Sequence, residues 1–319
     1  MTIKREDLKD ICPLSPMQEG MLFHARQDPA SVAYTEQVVW RVTGPLDWAA
    51  YADAWRALYT RHDALRSVFA FEKSREPLRL VLRDASPDVR LDESLLGQPA
   101  DVQARQLTAA RVAERLERFD LAAGPLLRVR VFRLGPDEHE VILTWHHILL
   151  DGWSTHLLLG ELFAIYRAAV RGGAASLSPV PPYAPYAEWL ASRDRPASLA
   201  YWRSLLNGYE APVEIPRVIA EPATSVAASP ELKFRAPYDL QRVTLTLDEA
   251  TAAAARNTAA AANATLNTLV QAAWGVVCGR YADTADVVFG AVVSGRSPEV
   301  PDVERIAGLL INTVPVRVT

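Results

Sequence analysis

The stretch "WHHILLDG", Trp145–Gly152, decides how this chain is read. It closes an apolar run, "VILTWHH" (Val141–His147), with the length and composition of a strand. Only six histidines occur in the chain, and two of them stand side by side here, followed at once by Asp151 and Gly152. Successive side chains of a strand point to opposite faces, so His146 and His147 are not expected to share one ligand. Adjacent histidines on a strand chelate a single metal poorly, and no Asp or Glu stands at zincin spacing, so no metal site is expected. One histidine should face inward and be held by hydrogen bonds while the other faces a cavity. There a neutral imidazole takes or shares a proton near pH 7, chemistry that suits acyl transfer to an amine or hydroxyl. Asp151 falls at the strand-to-helix turn, where it can cap the next helix, accept from an arginine or orient a histidine, and Gly152 permits a tight turn. A satisfied buried histidine beside a capping aspartate explains either residue alone. The full pattern of two histidines, three residues and Asp-Gly weighs against that plainer reading.

The flanking sequence sets this stretch in a mixed α/β chain. "GPLLRVRVFRL" places Leu127, Val129 and Val131 on one face and Arg128 and Arg130 on the other, a half-buried strand expected to pair antiparallel with Val141–His147 across the turn "GPDEHE". After Gly152 a helix is expected near Ser154–Val170, with Leu158, Leu162 and Tyr166 as its stripe and Gly172–Gly173 as its stop. Upstream, Trp48, Ala52, Trp55 and Tyr59 stand at helical spacing, and a second amphipathic helix covers roughly Asp101–Glu117. Downstream, "GGAASLSPVPPYAPY" marks a lobe boundary, dividing residues 1–175 from residues 181–319, and "EPATSVAASPELKFRAP" reads as a loop. "QRVTLTLD" alternates as a strand, Asp248 caps an alanine-rich helix, "ATLNTLVQAAWGVVCGRY" is a further helix and "DVVFGAVVSG" a buried strand. "INTVPVRVT" breaks off in mid-feature, so the second lobe is expected to be incomplete, with an uncovered sheet edge or apolar face.

Composition excludes several classes. The 319 residues, 50% hydrophobic and 23% charged, are ordinary globular material for about two domains. The net charge of −4, from 34 basic and 38 acidic residues well mixed, offers no footprint for nucleic acid. Cys12 and Cys278 lie far apart with no CxxC pair, which fits a reducing compartment. "MTIKREDLKD" lacks the apolar core of a signal peptide, and there is no run of about 18 apolar residues to span a membrane, so a cytoplasmic location is expected.

"HHILLDG" resembles the HHxxxDG motif of the condensation domains of nonribosomal peptide synthetases and of chloramphenicol acetyltransferase-like relatives. "LSPMQEGMLFH" (Leu14–His24) resembles the family's opening motif, and "RHDALRSVF" (Arg61–Phe69) its RHExLRTxF motif, with Asp63 for Glu and Ser67 for Thr. "YWRSLLNG" (Tyr201–Gly208) is similar to the YWxxxL segment. "VVFGAVVSGR" and "GLLINTVPVRV" are similar to the GxxxSGR and GxFxNTxPxR segments, with Leu310 where Phe is common. These motifs come in family order across residues 11–318.

The resemblance implies two chloramphenicol acetyltransferase-like lobes set in a V, with a tunnel between them. Into it a donor acyl group and an acceptor aminoacyl group enter as thioesters on the phosphopantetheine arms of upstream and downstream carrier proteins. No cofactor is bound directly, and an adenylation domain is the expected neighbour. By the same resemblance His147 is catalytic, as base or as positioning group, and His146 structural. Asp151 pairs with Arg66, and Gly152 lines the tunnel. His24, Ser294 and Asn312 are candidates for the tunnel or substrate side. His62 is read as lying at a helix end, His156 as packing or facing solvent on the helix after the motif, and Trp274 as a core residue rather than a substrate platform. "MQEGMLFH" resembles the subtype that takes donors ending in a D-residue. The alternatives are another HHxxxDG enzyme (an epimerisation domain or stand-alone acyltransferase) or a non-catalytic docking domain.

Overall fold

The computed structural model describes residues 3–71, 76–210, 213 and 243–319. They form two units. The first comprises the chain up to Ser192 together with Ser294–Asn312, and the second the described residues among 193–293 together with Thr313–Thr319. The first unit thus runs past the expected boundary at 175–181 and takes back a later segment. The reason is packing: Tyr186, on α5 (Ala184–Ala191), is buried against Val300, Val303, Ile306 and Leu310.

The first unit is built on a four-stranded sheet in the order β2 (Thr35–Thr43), β7 (Glu138–His146), β6 (Leu127–Gly135), β5 (Asp88–Asp92). β7 is antiparallel to both β2 and β6, and β5 runs parallel to β6. The register places Thr35 opposite His146 and Leu127 opposite Trp145, so the hairpin β6–β7 delivers the histidines to the end of the central strand. A second antiparallel sheet has the order β1 (Leu8–Pro13), β4 (Leu78–Leu82), β3 (Ser67–Ala70).

One face of the four-stranded sheet is covered by α2 (Trp48–Arg61) and α4 (Gly152–Val170). Trp55, Leu58 and Tyr59 of α2 and Leu158 and Leu162 of α4 join Val129, Val131, Val141 and Leu143 in one core. Burying these side chains contributes roughly 1.5–3 kcal/mol each, and the apolar spacing along both helices follows from it. The opposite face carries α3 (Ala100–Leu116), whose Leu107 packs on Phe132 and Ile142. β6 is therefore buried on both faces rather than half-buried. Arg128 and Arg130 do point away from the first core, and α3 covers them. Glu114 accepts from Arg128 Nε at 3.1 Å and from Arg130 Nε at 2.7 Å, and Asp88 accepts from Arg130 Nη2 at 2.9 Å. Glu140, likewise buried, is held by Arg41 at 3.0 Å and Arg111 at 2.6 Å. Charges stripped of water persist only when paired in this way.

The second unit holds α6 (Arg195–Leu205), α7 (Glu249–Ala261), α8 (Leu266–Ala282) and β8 (Val287–Val293), which pairs with β9 (Asn312–Val318). Asp248 caps α7 by accepting from Thr251 N at 2.7 Å, as its position predicts. Arg317 ties β9 to Asp286 at 2.6 Å and to the carbonyls of Leu205 and Asn207. Two expectations fail here. Residues 243–247, the described part of "QRVTLTLD" before the cap, form no strand: Val243 and Leu245 are 95% and 83% exposed, with no ladder among the described residues to pair their backbone. "DVVFGAVVSG" does form a strand, but Val292 and Val293 are exposed, so β8 is not buried throughout. The loop expected over "EPATSVAASPELKFRAP" lies outside the described residues. Among the described residues no helix is long and apolar enough to cross a membrane.

Candidate active site

β7 ends at His146, and residues 147–149 form a turn that leads through Leu150 to the cap of α4. The two histidines thus separate because one ends a strand and the other begins a turn. His146 is buried, and its Nδ1 accepts from Ile148 N at 3.1 Å. An imidazole nitrogen that accepts from a backbone N–H carries no proton, so neutral His146 holds its proton on Nε2 and is a donor there. Burial, reinforced by the neighbouring charge of His147, pushes its pKa down to about 4. It stays neutral at physiological pH.

His147 has the complementary arrangement. Its Nδ1 lies 2.9 Å from Leu150 O, and a carbonyl only accepts, so Nδ1 carries the proton. Nε2 of the neutral ring is then a bare lone pair on a half-buried side chain. Of the pair, only His147 is set up to take a proton in its neutral form. Its backbone N donates to Tyr34 O at 2.7 Å, one step beyond the last rung of the β2–β7 ladder.

Asp151 is completely buried and serves as the N-cap of α4. Oδ1 accepts from Ser154 N at 2.8 Å and Oδ2 from Leu310 N at 3.1 Å. The pairing with Arg66 does not occur. Arg66 instead bonds Asp63 at 2.5 Å and the carbonyls of Tyr59, Leu82 and Arg83. Asp151 takes its cation from Arg296, with Nη1 to Oδ2 at 3.0 Å and Nη2 to Oδ1 at 3.3 Å, a bidentate pair of two buried groups. Arg296 is the arginine of "SGR", and that motif is the signal in the sequence that points to it. The helix-cap position of Asp151 gives no indication of a partner 145 residues away. Ser154 completes the clasp: its hydroxyl donates to Gly308 O at 2.8 Å and accepts from Gly308 N and Arg296 Nη2, each at 3.0 Å. These bonds fix the turn 147–151 from behind, and Asp151 bonds neither histidine through them.

The other candidates distribute as follows. Gly152 is the first residue of α4. A Cβ there would meet nothing within 4 Å and its φ is not left-handed, so the turn does not require glycine and the space beside it is open. His24, near the end of α1 (Pro16–Gln27), lies in ring contact with Tyr34 at 6.1 Å. It shares with Tyr34, Phe119 and His146 the wall of a cavity of about 730 Å³. Ser294 is exposed, and its hydroxyl accepts from Arg296 N at 3.4 Å, ordering the turn into that arginine. Asn312 opens β9. His62 is buried and bonds Glu161 of α4 at 2.7 Å through Nε2. His156 donates to Gly152 O at 2.7 Å, and Trp274 is exposed rather than in the core.

The family model described as "Condensation domain" matches residues 8–319. Tyrocidine synthase 2 of Brevibacillus parabrevis is 35% identical over 98% of this chain, and surfactin synthase subunit 3 of Bacillus subtilis (strain 168) 33% over 98%. The chain spans 8% and 24% of their respective lengths. Among solved structures, the first condensation domain of the calcium-dependent antibiotic synthetase, in complex with a substrate analogue, superposes with a TM-score of 0.73 at 23% identity. The match covers 97% of this chain and 69% of that one. An X-domain from teicoplanin biosynthesis, solved in complex with OxyB, gives a TM-score of 0.75 at 26% identity, over 99% of this chain and 66% of the other. The α/β fold is the chloramphenicol acetyltransferase-like one of such structures. With the family model matching nearly the whole chain and peptide synthases identical at a third of its positions, this chain belongs to the condensation domains of nonribosomal peptide synthetases.

Proposed function

We propose that the domain forms an amide bond between a donor acyl or peptidyl thioester and the amine of an acceptor aminoacyl thioester. Each substrate is presented on the phosphopantetheine arm of a carrier protein, upstream and downstream, within a larger synthetase that includes an adenylation domain. Condensation domains are acyl or peptidyl transferases as a class, and one observation carries the finer reading: His147 Nδ1 lies 2.9 Å from Leu150 O, a contact that in the neutral ring leaves Nε2 as the acceptor. A free α-amino group has a pKa of about 8 and is largely protonated at neutral pH. Nε2 first accepts a proton from that ammonium, which frees the nitrogen lone pair, and releases this proton to solvent. The neutral amine then attacks the donor carbonyl: the C–N bond forms, the C–S bond breaks, and the second proton lost by the nitrogen passes through Nε2 to the departing sulfur. Neutral His146, with its acceptor nitrogen already used, supports the turn and takes no part in this transfer. The acceptor of the proton is therefore His147 alone of the two.

The test is to load donor and acceptor carriers, add the domain, and detect the amide by mass spectrometry. His147→Ala is expected to stay folded and to lose about 10²–10⁴-fold in rate, the usual contribution of a positioned base. Near-wild-type turnover by this variant would remove His147 from the chemistry. In the same assay a donor ending in a D-residue is expected to outrun its L-twin, because "MQEGMLFH" resembles the D-accepting subtype. Preference for L would overturn that assignment. The solved X-domain in complex with OxyB supports a second reading, a docking module without chemistry. No amide from the wild type with both carriers loaded would favour it.

A further inference from the structure

We propose that Tyr34 is a positioning residue for His147, a role that rests on the condensation reading above. Tyr34 has φ +65°, the left-handed region that bulky residues rarely adopt. It stands third in a four-residue turn, Val32–Thr35, closed by Thr35 N donating to Val32 O at 3.2 Å. Turns with positive φ at that position favour glycine or asparagine. If only the backbone were needed here, glycine would serve with less strain.

The backbone does have a role, since Tyr34 O receives the N–H of His147 at 2.7 Å and so fixes where the catalytic ring begins. The side chain has another. Its ring lies 6.3 Å from the ring of His146 and 6.1 Å from that of His24, and forms part of the cavity wall with Phe119. One residue therefore holds the turn at two points, by its carbonyl at His147 and by its ring against His146. Ring and carbonyl are carried by the same residue, so a shift of His146 is resisted at His147. The bond from His147 Nδ1 to Leu150 O then sets the remaining freedom, the rotation of the ring. Retention of a strained tyrosine where glycine fits is explained by this double hold.

The experiment compares the full chain with Tyr34→Gly and Tyr34→Phe. Tyr34→Gly keeps the carbonyl, relieves the backbone and removes the ring; Tyr34→Phe keeps the ring. For Tyr34→Gly, kcat for amide formation is expected to fall about tenfold or more, since small misplacements of a catalytic group are costly. KM for the acceptor should stay within about twofold. Tyr34→Phe is expected to match the wild type. Nitrogen-15 NMR of the histidine rings supplies a readout independent of turnover. The wild type and Tyr34→Phe should show His147 in the single Nδ1–H form, and Tyr34→Gly a mixture or a displaced signal. Three results would each overturn the proposal: an unchanged kcat in Tyr34→Gly, a loss that only tracks its unfolded fraction, or a lost kcat with unaltered His147 signals. If the wild type itself forms no amide, the condensation reading falls, and the NMR comparison alone decides whether Tyr34 holds His147.

Discussion

Asp151 and Arg296 show how a single buried pair decides the shape of the site. Removing one member strands the other charge away from water, at a cost of about 3–5 kcal/mol. Arg296→Met is expected to destabilise by that order in urea unfolding, and Asp151→Asn by less, since an amide still caps α4. The double variant should lose less than the sum of the two, with a coupling of about 1–3 kcal/mol, whereas Asp151→Asn with Arg66→Met should add within about 0.5 kcal/mol. Strict additivity for Asp151 and Arg296 would mean that the bidentate pair is not formed in solution. His146 adds a pH dependence. Its folded pKa of about 4 lies below the ordinary value of 6.5, so as the pH falls the unfolded chain binds the extra proton first. The stabilisation is complete above about pH 6.5 and is lost progressively as the pH falls toward 4, by about 3 kcal/mol at most. Thermal melts between pH 7 and 4 should show that fall, and His146→Asn should flatten it. An equal slope in the variant would place the titration elsewhere.

At the level of elements, legibility follows the range of the contacts. α2 and α4 are readable because their apolar spacing and caps are local, and the β6–β7 hairpin because alternation and a short turn specify an antiparallel pair. Helix α3 lies within one residue of its expected bounds at each end, yet its effect on β6 is not visible in the sequence. Arginine on an alternating strand usually faces solvent, and Arg128 and Arg130 read that way. Only the packing of α3 reveals Glu114 as their shared partner. "QRVTLTLD" fails for the converse reason: alternation predicts a strand wherever a neighbour exists to pair with it, and among the described residues 243–247 have none. In the site itself, His146, His147, Asp151 and Gly152 are visible as a pattern. The tautomers are not, since each depends on which backbone atom the turn brings to a ring nitrogen. The partner of Asp151 escapes a reading of the sequence because Arg66 and Arg296 both lie in motifs, and spacing along the chain does not rank cations at long range.

Across the whole molecule the two units differ in how they hold their apolar surface. In the first, β6 and β7 are covered on both faces, and Val129, Val131 and Ile142 are fully buried. In the second, Leu266, Val270, Trp274, Val277 and Tyr281 recur along α8 at helical spacing and are all exposed, and the sheet among its described residues has two strands. A two-stranded pairing has little stability of its own, and exposed apolar side chains add nothing to the folded state. Local opening should therefore be easier in the second unit. Native-state hydrogen exchange is expected to give two classes of amide. Those of β7 should exchange only through global unfolding, with the full dependence on denaturant. Those of α7 and α8 should exchange through a smaller opening with a shallower dependence. Replacing Val270 and Trp274 by glutamate and lysine, on an exposed face, should leave the melting of the first unit unchanged and lower the binding of a hydrophobic dye. Amides of α8 as protected as those of β7 would mean instead that both units open in one cooperative step, and that the exposed stripe of α8 does not weaken its unit.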